Sequence, residues 1–157
     1  MPENVDWKSL LLSWDGRMRR SHFWIGMVAI GVVNMIGGTI PFIGVLISLA
    51  LIAPAAAIAA RRLHDMGRSA RFALVPVAFA IVAGLLGLMA SIAPAAFGAA
   101  GAIGVLAVAG PLLLLITVLL AINLVFVLWI GLSAGAQGAN AYGPDPRAPT
   151  EILQSGR

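Results

Sequence analysis

The sequence predicts an all-α membrane protein, a four-transmembrane-helix bundle with an N-terminal interfacial helix and both termini in the cytoplasm. Hydrophobic residues make up 61% of the chain and charged residues 10%, whereas soluble domains carry about 25% charged residues. The ten basic and six acidic residues all fall in three blocks, 1–22, 61–71 and 133–157. The uncharged stretches between the blocks, 23–60 and 72–132, are each long enough for two spans of about 20 residues.

The charge blocks also predict the orientation. Arginine and lysine exceed the acidic residues and give a net charge of +4, and such an excess marks cytoplasmic segments. If all three blocks lie in the cytoplasm, each uncharged stretch crosses the membrane an even number of times. Four crossings, with the N- and C-termini both inside, are the simplest solution.

Each element follows from a local pattern, and together they form a single membrane domain, 1–157. In the cytoplasmic and interfacial segment 1–22, apolar residues at helical spacing predict a helix lying on the membrane surface; they are Trp7, Leu10, Leu11, Trp14 and Met18. Gly37, Gly38 and Pro41 predict a turn that divides the first uncharged stretch. The spans are expected at about 23–38, 42–60, 72–90 and 107–131, with a basic cytoplasmic loop at 61–71, an outer loop at 91–104 and a cytoplasmic tail at 133–157.

Composition excludes several kinds of site. The chain has no cysteine, so disulfides, thiolate metal sites and cysteine nucleophiles are excluded. We expect no metal site, no cofactor and no catalytic residues. The positive charge is assigned to anionic lipid rather than to nucleic acid, because no separate basic domain or nucleic-acid-binding motif is present.

Three motifs occur in the charged blocks in a fixed order. They are Trp14-Asp-Gly-Arg17-Met-Arg-Arg20-Ser-His-Phe-Trp24, Arg61-Arg-Leu-His-Asp-Met-Gly-Arg68-Ser and Gly135-Ala-Gln-Gly-Ala-Asn140-Ala-Tyr-Gly-Pro-Asp-Pro146. Over nearly the whole chain this combination resembles the domain-of-unknown-function 805 family, YhaH-like small bacterial inner-membrane proteins. The resemblance implies a multi-pass protein of the bacterial inner (plasma) membrane and supplies no established reaction.

The basic motifs suggest an anion-binding site at the cytoplasmic face. Guanidinium groups bind phosphate and carboxylate through paired hydrogen bonds. Arg61 or Arg62 can pair with Asp65 one helical turn away, and Arg68 can reach back to the same carboxylate across Gly67. The candidate residues for binding an anionic headgroup or a partner are Arg17, Arg20, Arg61, Arg62, His64, Asp65 and Arg68. The alternative is that these arginines only fix the topology and pair with acids and lipid headgroups.

A second set of residues is expected to form a structural cap over the same face. Glycine, proline and asparagine favour tight turns, which suits a tail that folds back onto the helices. Asp145 is expected to join the arginines there. The cap residues are Asp15, Gly16, Gly67, Asn140, Tyr142, Gly143 and Asp145.

Three functions remain open. The favoured one is a non-enzymatic interaction or structural protein whose arginine-rich cap binds anionic lipid headgroups or an acidic partner; a homo-oligomer or a membrane-protein partner stays open. The alternative is a small transporter or channel component acting as an oligomer, although the spans lack the ionisable residues typical of ion-coupled carriers. Their polar residues include Asn34 and Asn123, which are expected to bond across helices. The third is an enzyme that modifies lipid headgroups with His64 and Asp65.

Overall fold

The computed structural model describes residues 11–40 and 42–147, and the regular elements in these residues are all helices. The helices are α1 (Arg20–Gly37), α2 (Ile43–Asp65), a 3-10 helix (Ala70–Ala73) and α3 (Leu74–Leu132). Gly98, with φ 54° and ψ −136°, interrupts α3, and we call the parts on either side α3a (74–97) and α3b (99–132). In these residues the β-structure is limited to an isolated bridge between Asn140 and Gly143. The predicted all-α class is confirmed.

Three helical segments are long and apolar enough to cross a membrane, namely Ile43–Asp65, Ala70–Met89 and Ala109–Leu132. A shorter apolar helix covers Ala96–Ala107. Helix α1 is 18 residues long and begins with the polar residues Arg20, Ser21 and His22, which shortens its apolar part. The chain is therefore suited to embedding in a membrane, while the count of four spans and the side of the termini remain predictions.

Two boundaries differ from the sequence-based expectation. The predicted outer loop at 91–104 is helical except for the break at Gly98. Alanine, the strongest helix former, dominates this stretch, and a lipid environment favours backbone hydrogen bonds made within a helix. Helix α2 continues to Asp65, so the basic loop begins at Met66, and the first five residues of the predicted loop are helical.

The N-terminal segment follows its prediction only in part. Residues 1–10, which include Trp7 and Leu10 of the expected interfacial helix, lie outside the described residues, as does Pro41 of the first turn. Leu11 and Leu12 are helical, whereas Met18 is buried in the core with 3% of its surface exposed. Its assignment to the membrane surface was wrong. Gly16 has a φ of 86°, a conformation that suits glycine. The turn at this residue places Met18 in the core cluster.

The packed core lies at one end of the helices, where α1 begins, α2 ends and α3 both begins and ends. Its fully buried side chains are Phe23, Ile58, Leu63 and Ile130. Gly131 allows the close approach of α3b to α1, because a Cβ there would lie 2.6 Å from the Trp24 ring. Away from this end most large apolar side chains of α3 are exposed, as expected for surfaces that face lipid acyl chains. We call the packed end the polar end, since the described parts of all three charged blocks lie there.

Polar side chains within the spans make fewer interhelical bonds than expected. The hydroxyl of Ser48 on α2 donates to Asn34 Oδ1 on α1 over 2.6 Å, so this expected interhelical bond forms. The side-chain amide of Asn123 instead donates to the carbonyl of Leu119 in its own helix over 3.1 Å. The prediction for Asn123 was wrong, because a carbonyl one turn away competes successfully with partners on other helices.

Candidate anion-binding site at the polar end

A buried ion cluster stands at the centre of the polar end. Asp65, the last residue of α2, accepts hydrogen bonds from Arg17 Nε at 3.1 Å and from Arg62 Nη1. Arg17 Nη2 also lies 3.0 Å from Asp65 Oδ1. The three side chains, which we call the central cluster, are only 0–3% exposed. The pairing of Arg62 with Asp65 follows the predicted one-turn spacing, and the cluster carries one net positive charge.

The other guanidinium hydrogens of the central cluster bind carbonyl groups of the backbone. Arg62 donates to the carbonyls of Ile130, Met18 and Ser133, and Arg17 donates to those of Ala136 and Gly138. The last carbonyls of a helix have no intrahelical partner, and a cation near them interacts favourably with the helix dipole. Arg62 supplies both effects at the end of α3, so its main role here is to hold helix ends together.

The tail covers the end of α2 in the same way. The amide of Ala136 donates to the Asp65 carbonyl over 2.7 Å, and Asn140 Nδ2 donates to the His64 carbonyl over 2.9 Å. A Cβ at Gly135 would lie 2.0 Å from Asp65 Oδ2, so only glycine allows the tail to pass this close. Residues 133–147, which we call the tail strap, therefore cap helix α2 as well as α3.

The predicted cap residues are divided between the strap and the turns beneath it. Tyr142 stacks on the His64 ring at 4.0 Å with a 5° interplanar angle. Asn140 and Gly143 exchange backbone hydrogen bonds of 3.0 and 3.1 Å. Gly67 has a φ of 70° immediately after α2, which is typical of a helix end. Asp15 is exposed.

His64 and Asp65 do not act as a pair in this arrangement. The Nδ1 atom of His64 lies 3.2 Å from the Gly16 carbonyl, and its ring faces Tyr142. The carboxylate of Asp65 is occupied by two arginines. Neighbouring residues on a helix point about 100° apart, and here they serve different contacts.

Three arginine candidates lie outside the central cluster, and Arg61 and Arg68 are two of them. Arg61 is buried on α2 with 6% exposure. The guanidinium of Arg68 lies 5.1 Å from the ring centre of Trp129 and 5.9 Å from that of Phe72. Arg68 does not make the contact with Asp65 that the sequence suggested. Gly67 turns the chain away from the helix end, and the Trp129 ring offers a cation–π partner instead.

A cleft of about 410 Å³ opens beside the central cluster. It lies between the start of α1 and the tail strap. Its lining residues are Arg19, Arg20, Ser21, Arg62, Asp65, Gly135 and Arg147. Four arginines and one aspartate give this lining a net charge of three positive. Among the described residues, Arg17 binds Asp65 and Asp145 binds Arg147, and the charges of Arg17 and Asp145 cancel each other.

The cleft includes two arginines that sequence reasoning did not select. Arg19 Nε donates to the Pro146 carbonyl and thereby joins the strap to the start of α1. Arg147 Nε donates to Asp145 Oδ1 over 3.1 Å, and its Nη2 donates to the Ala136 carbonyl over 2.9 Å. The run from Arg17 to Arg20 was a usable signal for Arg19. For Arg147 no local signal existed, because its place depends on how the strap folds.

Charge pairing also orders the end of the strap. Hydrogen bonds from the Arg147 amide and guanidinium, together with one from the Gly138 amide, lower the pKa of Asp145 to about 2. The same contact raises the pKa of Arg147. Asp145 thus joins the arginines through Arg147, which keeps this guanidinium at the edge of the cleft.

Comparisons with known proteins give a family and no activity. Residues 11–144 match the family model described as "Protein of unknown function (DUF805)". No match to the chain was found among curated proteins or among solved structures. The matched segment contains the first two sequence motifs in full and the third up to Pro144. The chain is a member of the DUF805 family.

Proposed function

We propose that this protein is an integral inner-membrane protein of bacteria whose polar end faces the cytoplasm and binds anionic groups there. Its function is interaction rather than catalysis, and the bound groups are lipid headgroups or the acidic groups of a partner. The supporting observation is the arginine-lined cleft with its net positive charge. Arg20 carries the most weight, because its exposed guanidinium lies within 4 Å of no carboxylate in residues 11–40 and 42–147.

The topology is part of this proposal. α1, α2, α3a and α3b are taken as four spans, with both termini in the cytoplasm. Because the chain has no native cysteine, single cysteines can be labelled without background. Arg71→Cys and Ala139→Cys should react with an impermeant maleimide only from the cytoplasmic side of membrane vesicles, and Thr39→Cys only from the opposite side. Labelling of Thr39→Cys and Ala139→Cys from the same side would rule out the four-span arrangement.

Anion binding is tested with a matched pair of arginine variants. Arg20 and Arg71 are both exposed and both stand at a helix start, but only Arg20 lines the cleft. Detergent-released protein is titrated with phosphatidylglycerol, and bound lipid is counted by native mass spectrometry. A basic residue near an anionic membrane surface contributes about 1 kcal/mol, so Arg20→Ala should weaken binding about fivefold. Arg71→Ala should leave it unchanged.

The same pair separates a site from general attraction. If the arginines act only as topology signals, both substitutions will change lipid binding equally, since each removes one exposed positive charge. Equal effects would therefore refute the cleft as a site.

If the partner is instead an acidic protein, wild-type protein will retain no lipid. Cross-linking in membranes should then recover the protein partner with the wild type and with Arg71→Ala, but not with Arg20→Ala.

Transport by an oligomer is a second candidate, favoured by a cavity between the helices. A space of about 170 Å³ lies among α1, α2 and both parts of α3. Its lining is largely apolar but includes Asn34, Ser48 and Asn123. Substrate sites of many transporters lie near the membrane midplane between helices. Solute flux in proteoliposomes that is lost in Asn34→Val but kept in Thr117→Val, a residue of α3b outside the cavity, would favour transport over the interaction role.

A further inference from the structure

The arginines of the polar end fall into two groups according to their free hydrogen-bond donors. All three nitrogens of the Arg62 guanidinium donate to atoms of the chain, and those of Arg17 do the same. In contrast, Arg19 uses only Nε, and Arg147 leaves Nη1 without a partner among the described residues. Arg20 has no side-chain hydrogen bond to the described part of the chain. The cleft thus presents donors from three arginines.

These donors come from two segments of the chain that line the cleft. Arg19 and Arg20 lie at the start of α1, and Arg147 lies on the tail strap opposite them. The first turn of α1 contains no acidic side chain, and the side chain of Arg19 makes no capping hydrogen bond. The backbone amides at the start of α1 therefore add partial positive charge on the same side of the cleft. The ligand charge that matches this site is therefore larger than a single negative charge.

Asp65 does not oppose an anion in the cleft. Its carboxylate lines the cleft, but each oxygen already accepts from an arginine of the central cluster. With two arginines around it, the cluster itself is positive. Asp145 is held by Arg147 and by the amide of Gly138. The charges of Asp65 and Asp145 are thus neutralised by groups of the protein itself. The net charge of the cleft, three positive, remains available to a ligand.

We propose that the cleft binds a phosphomonoester group in preference to a phosphodiester. This inference rests on the proposed function and names the ligand chemistry of the same site. A phosphomonoester carries between about 1.5 and 2 negative charges at neutral pH and offers three strong acceptor oxygens. A phosphodiester carries one charge and two such oxygens. The monoester can offer a separate charged oxygen to each of Arg19, Arg20 and Arg147, whereas in a diester two of these arginines would share one oxygen.

The preference is measured on the full-length wild-type protein, so it does not depend on the folding of a variant. Phosphatidic acid supplies the monoester and phosphatidylglycerol, with the same acyl chains, supplies the diester. Each is titrated into detergent-solubilised protein and followed by native mass spectrometry. We expect about tenfold tighter binding of phosphatidic acid, a ratio that corresponds to about 1.4 kcal/mol. Equal affinities would overturn this inference and leave the proposed function intact, whereas binding of neither lipid would remove the lipid-headgroup reading on which it rests.

A variant on the strap assigns the preference to the cleft. Arg147→Gln keeps hydrogen-bond donors but removes one charge from the side opposite α1. We expect it to weaken the binding of phosphatidic acid more than that of phosphatidylglycerol, so that the two affinities become nearly equal. Arg71→Gln, outside the cleft, is the matched control and should keep the tenfold preference. An equal loss in both variants would refute the assignment.

The source of the phosphomonoester is identified by competition. Glycerol 3-phosphate carries the same phosphomonoester without acyl chains, and inorganic phosphate presents similar charged oxygens without any ester bond. If either displaces phosphatidic acid at comparable concentrations, the ligand is a soluble phosphate compound of the cytoplasm. If neither does, the acyl chains contribute to binding and the ligand is a lipid. Both results support the monoester chemistry, which the comparison with phosphatidylglycerol decides.

Discussion

Neutralising Asp65 should destabilise the polar end more than neutralising any exposed acid. The substitution Asp65→Asn keeps the shape of the side chain but removes the charge that two arginines share. Arg17 Nε and Nη2 lie 3.1 and 3.0 Å from Oδ1, and Arg62 Nη1 binds Oδ2. With side chains only 0–3% exposed, solvent water cannot replace the lost carboxylate.

The size of the effect follows from this burial. Removing one partner of a buried ion pair costs about 3–5 kcal/mol, because the other charge is left uncompensated. Asparagine retains one carbonyl oxygen that still accepts a hydrogen bond, so we expect a loss of about 3 kcal/mol. For a chain of this size, that corresponds to a fall in melting temperature of about 6–12 °C.

The assay is thermal unfolding of purified protein in detergent micelles, followed by tryptophan fluorescence. Asp15→Asn is the control, since Asp15 is exposed and surface substitutions of this kind change stability by less than about 0.5 kcal/mol. Arg17→Gln combined with Asp65→Asn should cost less than the sum of the single changes, because the double variant leaves one uncompensated arginine fewer than Asp65→Asn alone. A melting temperature for Asp65→Asn within 1–2 °C of that for Asp15→Asn would refute the reasoning.

Two further predictions concern the tail strap. The lowered pKa of Asp145 means that its ionised form contributes stability above the usual value of 3.8 and that this contribution is lost as the pH falls through about 2. The protection factors of the strap amides, which correct for the intrinsic pH dependence of exchange, should fall over that range, and Asp145→Asn should abolish the step. Gly135→Ala should accelerate exchange of the Ala136 amide and lower the melting temperature, because the new Cβ would lie 2.0 Å from Asp65 Oδ2. Gly87→Ala, with no atom within 4 Å of the new Cβ, should be neutral, and similar effects of the two glycine substitutions would contradict the close approach.

The features that composition and local spacing control were predictable from the sequence. The confinement of charge to three blocks indicated membrane-embedded helices, and three long apolar helices agree with it. The one-turn spacing predicted an ion pair of Asp65 with either Arg61 or Arg62, and Arg62 forms it. Both inferences use information within a single segment, where geometry follows directly from helical periodicity.

Contacts between segments were not predictable in the same way. Arg17 binds Asp65 across 48 positions of sequence, and nothing local favours Arg17 over its neighbours Arg19 and Arg20. Arg68, closer to Asp65 along the chain, contacts the Trp129 ring instead. The choice depends on which carbonyls are left unpaired where helices end, and those positions are known only once the helices are packed.

The prediction of the helix boundaries was wrong for a different reason. Glycine, alanine and proline between 91 and 104 were interpreted as loop signals, as they are in water. In an apolar environment an unpaired backbone group costs several kcal/mol, so the helix is retained almost throughout and the interruption is confined to Gly98. Rules for turns that were established in soluble proteins therefore overestimate loop length in a chain of this composition.

The arginines show why charge patterning locates a site without resolving it. Arg17 and Arg19 are two positions apart and carry the same side chain. All three guanidinium nitrogens of Arg17 donate hydrogen bonds within the protein, whereas Arg19 keeps donors free in the cleft. The difference arises from the tail strap, whose carbonyls occupy Arg17 and whose Arg147 completes the opposite side of the cleft. A segment far along the chain thus decides which arginines near its start are structural and which remain able to bind. The anion site that we propose exists only while the strap is in place.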